Sequence, residues 1–246
     1  MTRSAPLVLS LHVPKTGGTT FAEVLRRAYG PRVAFFYGDD HADTHPLLQG
    51  LGKTADPAVI ERLEEAGILV LHGHFQAQVF AKAVPDPARY WIWLREPVER
   101  TISHFHFFRG RHQALSAMGK QVANGTLPLP AFAGHPAIRN LQSRYLAPFP
   151  IAEVGFIGLT EHSKAGLELV GLPVPPARKA AVNVNPDKPA TDKATRAAIA
   201  AENLADLALY SEALQVFQTR VARGDAPIAP KVDRGGLLAR MGFRRG

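Results

Sequence analysis

Residues 12–20, His12-Val13-Pro14-Lys15-Thr16-Gly17-Gly18-Thr19-Thr20, place one lysine, two glycines and three threonines in immediate succession. An apolar run, Leu7-Val8-Leu9-Ser10-Leu11, precedes them, and a helical pattern from Phe21 to Ala28 follows. A strand, a glycine-containing turn and a helix start, in that order, build an anion site. The first N–H groups of a helix have no acceptor within it and carry partial positive charge. Lys15 adds a full charge, and Thr16, Thr19 and Thr20 add hydroxyl donors. A nucleoside-triphosphate loop reads G-x-x-x-x-G-K-[ST], with its lysine after the last glycine. Here Lys15 comes before both Gly17 and Gly18. That order argues against an ordinary ATPase or GTPase.

A second anion-binding pair is legible further on. Tyr90-Trp91-Ile92-Trp93-Leu94 has the pattern of a buried strand, Arg95-Glu96-Pro97 turns the chain, and residues 101–109 read as a helix. Arg95 then stands at a strand's C-terminal end, where open α/β sheets bind ligands. Ser103, near the start of the helix, is placed to face the same anion, and guanidinium plus hydroxyl suits a second phosphate. A third stretch, Ile68-Leu69-Val70-Leu71, runs into His72-Gly73-His74. Side chains two apart on a strand share a face, so both imidazoles are expected in one cleft. Histidine suits proton transfer near neutral pH. A metal pair, or a structural histidine bonded to backbone, are the other readings of the same residues.

The first two stretches together resemble the sulfotransferases that use 3′-phosphoadenosine 5′-phosphosulfate (PAPS), in particular glycan-type members with H-[VI]-P-K-T-[GS]-[GS]-T-[TS] and L-R-[ED]-P-[VI]-E-R-x-[ILV]-S. The resemblance extends more loosely to about Phe217. It implies that Lys15, Thr16, Gly17, Gly18, Thr19 and Thr20 hold the 5′-phosphosulfate and that Arg95 and Ser103 hold the 3′-phosphate. Glycan 2-O-sulfotransferases show a similar H-G-H segment in which histidine is the base, a role this carries to His74 first and His72 second. Lys15 has two possible jobs: neutralising the phosphosulfate in the ground state, or following charge onto the bridging oxygen as the bond breaks, of which only the second raises turnover. In this family a loop before the last long helix closes over the nucleotide, which makes Asn183, Asn185 and Lys188 candidates. The implied co-substrate is PAPS, the product adenosine 3′,5′-bisphosphate, and no metal is implied.

Other polar residues are weaker candidates. Arg100 and His104 share a helix face, with Arg100 free to pair with Glu96 instead, and His106 is not expected to be catalytic. Asn140, Gln142 and Arg144 are candidates for touching the acceptor or capping loops. Trp91, Trp93 and Tyr210 read as core, with the two tryptophans as alternative flanks for an adenine.

Five strands near 7–13, 33–37, 68–73, 90–95 and 154–159 must position these residues. Helices are expected near 18–29, 57–66, 78–83, 98–110, 137–146, 163–170 and 192–223. Strands alternating with helices predict a single α/β, P-loop-like domain: a mostly parallel sheet with helices on both faces. The domain is expected over residues 1–224, with a basic C-terminal tail over 225–246. Residues 110–136, broken by Gly and Pro, read as an insertion on the acceptor side.

A chain of 246 residues with 46% hydrophobic content can bury a substantial core. It has no cysteine, which rules out disulfides and thiolate metal sites. Neither a signal peptide nor an apolar run of membrane-spanning length is expected, so the location read from the sequence is cytoplasmic. The formal net charge is +8. Residues 231–246 hold five basic residues against one acid, so about half of the excess sits in the tail. That tail is either a solvated terminus or a peripheral contact for an acidic acceptor or an anionic membrane.

Taken with the resemblance, the expected partner is a carbohydrate or glycolipid hydroxyl acceptor and not a nucleic acid, which would want aromatics interleaved with a basic face. The alternatives are a P-loop-type nucleotide kinase and a non-catalytic nucleotide- or nucleic-acid-binding protein. A kinase would want a strand ending in a Mg²⁺-binding Asp, and these strands run into His72 and Arg95 instead.

Overall fold

The computed structural model describes residues 6–52, 54–110, 116–175, 190–225 and 230. Its centre is a parallel five-stranded sheet in the order β2-β3-β1-β4-β5. The strands are β1 (Val8–Leu11), β2 (Val33–Phe36), β3 (Val70–Gly73), β4 (Tyr90–Leu94) and β5 (Phe156–Leu159). Central parallel strands are covered on both faces and so read as continuous apolar runs; Tyr90-Trp91-Ile92-Trp93-Leu94 is buried throughout.

The two faces are covered by different helices. On one side lie α1 (Gly18–Tyr29) and α8 (Ser163–Leu169), which bury Phe21, Leu25 and Leu167 against Val8, Val70, Trp91 and Phe156. On the other side lie α2 (Pro57–Glu65), α3 (Ala77–Phe80), α7 (Leu141–Leu146) and α10 (Leu204–Arg223), which bury Leu63, Phe80, Tyr145 and Phe217 against Leu9, Leu71 and Ile92. A single α/β domain with helices on both faces is therefore what the chain forms.

The strand expectations hold within a few residues at each end; the expected helices over 78–83 and 137–146 are shorter, Ala77–Phe80 and Leu141–Leu146, and the one over 192–223 is divided. Residues 110–136, read as an insertion, hold two short helices, α5 (Ala117–Ala123) and α6 (Leu129–Gly134). They pack with α4 (Pro97–Arg109) around Phe105, Val122 and Phe132. The expected helix over 192–223 is two helices, α9 (Lys193–Glu202) and α10, with Asn203 between them at φ −124° and ψ 35°. Asn203 is fully buried; its Nδ2 donates to Ile199 O and its Oδ1 accepts from Asn140 N. The break is held by the pairing of Asn203 with Asn140, which is remote in sequence, so local periodicity could not reveal it. No helix among the described residues is long and apolar enough to cross a membrane.

Candidate active site

The loop expected to hold an anion, residues 12–17, lies at the C-terminal end of β1, the middle strand. Lys15 has φ 72° and Gly17 φ 87°, two left-handed residues around Thr16. Such a backbone is ordinary for glycine but costs a residue like lysine about 1–3 kcal/mol, so the surroundings must hold it. They do: the Thr16 hydroxyl donates to Val13 O at 2.9 Å, and Arg95 Nη1 donates to Lys15 O at 3.4 Å. Thr160 Oγ1 lies 2.9 Å from Thr16 O and 3.0 Å from Leu94 O. Helix α1 then starts with no side-chain cap at Gly17 and no acid in its first turn. The helical N–H groups of Gly18, Thr19 and Thr20 precede the first intrahelical donor, Phe21, which bonds Gly17 O. Thr19 is exposed and Thr20 half-buried, so both hydroxyls remain near the loop surface. Thr16, by contrast, is fully buried with its hydroxyl turned to Val13, so only its backbone can serve an anion here.

The histidines follow from register. Ser10 pairs with His72 and Leu11 with Gly73, and His12 N donates to Gly73 O at 2.8 Å, which sets His12 beside His74. Alternation puts Ser10, His12, His72 and His74 on the α1 face. The rings form a stack with His12 in the middle, 4.9 Å from His72 and 4.2 Å from His74 between centroids. The inner ring, His72, is fully buried, with Nδ1 2.8 Å from Ser10 Oγ. Burial, then the neighbouring His74, lowers its pKa to about 3. The expectation that both imidazoles of H-G-H share an open cleft is therefore corrected: His72 is enclosed and neutral, and only His74 is exposed.

His74 Nδ1 lies 2.8 Å from the backbone oxygen of His12. A carbonyl only accepts, so Nδ1 carries the proton, and the neutral ring keeps its lone pair on Nε2. Desolvation lowers the His74 pKa, the bond to His12 O raises it, and His41 lowers it; the net direction is down. An imidazole whose tautomer is fixed by a backbone carbonyl and which is neutral at pH 7 is equipped to take a proton.

Arg95, half-buried at the end of β4, reaches the same loop through its bond to Lys15 O. Ser103 is half-buried and lies inside α4, which begins at Pro97, close to the expected start near residue 98. His104 is buried, its ring stacked 4.9 Å from Phe108. Burial, then the charges of Arg100, Lys15 and His74, lower its pKa to about 3, so α4 brings His104 up to the loop as a neutral group. Lys15 Nζ sits 4.3 Å from the centroid of the Phe107 ring.

The suggested Arg100–Glu96 pair does not form. Glu96 instead caps α4, accepting from Val98 N and Glu99 N. Arg100 is fully enclosed and donates to Thr101 Oγ1 and Ile138 O. Burial lowers its pKa to about 10, with Asp206 acting in the opposite direction.

The structure thus brings Lys15, Gly17, Gly18, Thr19, Thr20, His74 and Arg95 to the C-terminal end of the central strands β1, β3 and β4, with Ser103 on the adjoining helix. Asn183, Asn185 and Lys188, and the basic tail over 231–246, lie outside the described residues. Trp91 and Trp93 are core. Tyr210 is half-buried and donates to Glu161 Oε2. Among the described residues no group of three or more His, Asp or Glu could hold a metal ion.

Two contributors carried no role in the sequence reading. His12 was legible as a histidine just past an apolar strand, the same signal that marked His74. Thr160, which joins the β1 and β4 loops, had no local signal at all, since its partners are remote in sequence. No family model matches the chain, and no curated protein matches it.

Proposed function

We propose that this protein transfers a sulfuryl group from 3′-phosphoadenosine 5′-phosphosulfate to a hydroxyl of a carbohydrate or glycolipid, in a cytoplasmic setting. The observation that carries this reading is the adjacency of two devices. One is an uncapped helix start with Lys15 beside it; the other is an imidazole, His74, held as a base by the His12 carbonyl. An anion site alone would suit any phosphate ligand, and a base at its rim adds the means to activate a hydroxyl.

In this reading the acceptor oxygen attacks sulfur while the bond from sulfur to the 5′-phosphate oxygen breaks. The electron pair leaves with adenosine 3′,5′-bisphosphate, and the acceptor proton passes to His74 Nε2. Negative charge grows on the departing phosphate oxygen, where Lys15 and the N–H groups at the start of α1 stabilise it. Arg95 and Ser103 hold the 3′-phosphate and fix the nucleotide for in-line attack. The resemblance in residues 12–20 and 94–103 supports the choice of PAPS over other anions.

The test is transfer of radiolabelled sulfuryl from PAPS to a panel of sugar and glycolipid hydroxyls, run beside ATP labelled at its γ-phosphate. Label arriving from PAPS and not from ATP is expected. Phosphoryl transfer from ATP would favour a kinase, and no transfer with tight nucleotide binding would favour a non-catalytic binder.

A further inference from the structure

We infer that Gln142 is the positioning residue for Arg95 and that Asp206 holds Gln142 in that task. The inference rests on the reading of Arg95 as the 3′-phosphate ligand.

Arg95 lies just beyond the last residue of β4, where its main chain leaves the sheet ladder. The side-chain amide of Gln142 replaces the missing neighbour. Oε1 accepts from Arg95 N at 2.8 Å, and Nε2 donates to Arg95 O at 2.9 Å. One amide therefore satisfies both main-chain groups, and the opposite polarity of those groups fixes which way the amide points. Gln142 is fully buried. A buried amide costs free energy unless it is paired, and both of its polar atoms are paired with the backbone of this one residue.

Gln142 is anchored in turn. Its own N–H donates to Asp206 Oδ2 at 3.1 Å. Asp206 Oδ1 accepts from Ser143 N at 2.8 Å and Ser143 Oγ at 2.7 Å. A fully buried carboxylate thus caps the start of α7 from the first turn of α10. The link is reciprocal, because Asn140 Oδ1 accepts from Ala205 N and Asp206 N. The break at Asn203 is what delivers Asp206 to this place: a helix starting there presents its first N–H groups to Asn140. The backbone from which the Arg95 guanidinium extends is thereby set by two helices far along the chain and not by its own loop.

A role confined to packing would affect all ligands alike; a role in placing Arg95 affects only the ligand that carries a 3′-phosphate. Calorimetry with adenosine 3′,5′-bisphosphate and adenosine 5′-phosphate separates the two. For Q142M, the preference for the bisphosphate is expected to fall about tenfold, within the range set by losing one charge-assisted bond, with adenosine 5′-phosphate affinity unchanged. Q142E keeps the side-chain shape but turns an oxygen toward Arg95 O; it is expected to lose the preference as well, and it serves if Q142M does not fold. Either folded variant with the wild-type preference overturns the inference, as does an equal loss for both nucleotides. If R95A loses the preference while Q142M and Q142E keep it, the functional reading stands and this inference alone falls. A wild-type protein that shows no preference contradicts the functional reading, and the inference falls with it.

Discussion

The His12 imidazole fills the space that a side chain on residue 18 would need: a Cβ there would stand 1.9 Å from the ring. The same ring lies 4.2 Å from that of His74, so the start of α1, His12 and His74 are in direct succession. Gly18→Ala is expected to drive His12 against His74 and to cost about 1–3 kcal/mol in stability, the usual penalty of overpacking. Adding His12→Ala should restore much of that loss, because the second change empties the contested space while the His12 carbonyl still holds His74 Nδ1. Thermal melts of the two single variants and the double variant check this. Losses that simply add would separate the two residues energetically.

Lys15 is expected to act on developing charge rather than only on the bound nucleotide. Lys15→Ala should then reduce the transfer rate by more than it weakens adenosine 3′,5′-bisphosphate, a split that single-turnover kinetics beside calorimetry resolves. A variant losing affinity and nothing else would leave Lys15 as a ground-state anchor. The Phe107 ring under Lys15 Nζ gives a second handle. Phe107→Leu keeps an apolar side chain but removes the aromatic face, worth about 0.5–1 kcal/mol or more to the ammonium.

Acid should destabilise the fold. His72 and His104 are neutral in the native protein with pKa values of about 3, while the unfolded chain protonates them near 6.5. The unfolded state therefore binds more protons between these limits. The stability these groups contribute is complete above pH 6.5 and is lost as pH falls from there toward 3. Each such group accounts for up to about 1.4 kcal/mol per pH unit within that window. His104→Phe keeps an aromatic ring beside Phe108 and has nothing to protonate, so its urea midpoint should fall less steeply between pH 6.5 and 5 than that of the wild type. Parallel slopes would place the linkage elsewhere.

The sheet was readable because its strands are buried on both faces. Runs such as Ile68-Leu69-Val70-Leu71 and Tyr90-Trp91-Ile92-Trp93-Leu94 leave little choice of structure. The loop at Lys15 was readable for the opposite reason: glycines, a lysine and threonines break an apolar run between a strand and a helix start. What stayed hidden depends on distant pairing. Nothing local in His72-Gly73-His74 says that one imidazole is capped by Ser10 and enclosed while the other faces outward; the register of β3 on β1 decides it. Likewise Asp206 reads as an ordinary helix acid, and its burial at the start of α7 follows only from the break at Asn203 and the return of the chain to Asn140. The two short helices over residues 110–136 were missed because each buries only a few side chains, among them Val122 and Phe132, too few to show a period.

In the proposed function, His74, held through Nδ1 by the His12 carbonyl, removes the acceptor proton at a site where other groups hold the nucleotide. The most direct test measures sulfuryl transfer from PAPS and adenosine 3′,5′-bisphosphate affinity side by side in wild type and His74→Ala. The expected result is a fall in transfer of about 10²–10⁴, the usual worth of a general base, with nucleotide affinity close to wild type. Near-normal transfer by His74→Ala, or a loss of nucleotide affinity as large as the loss of transfer, would contradict it.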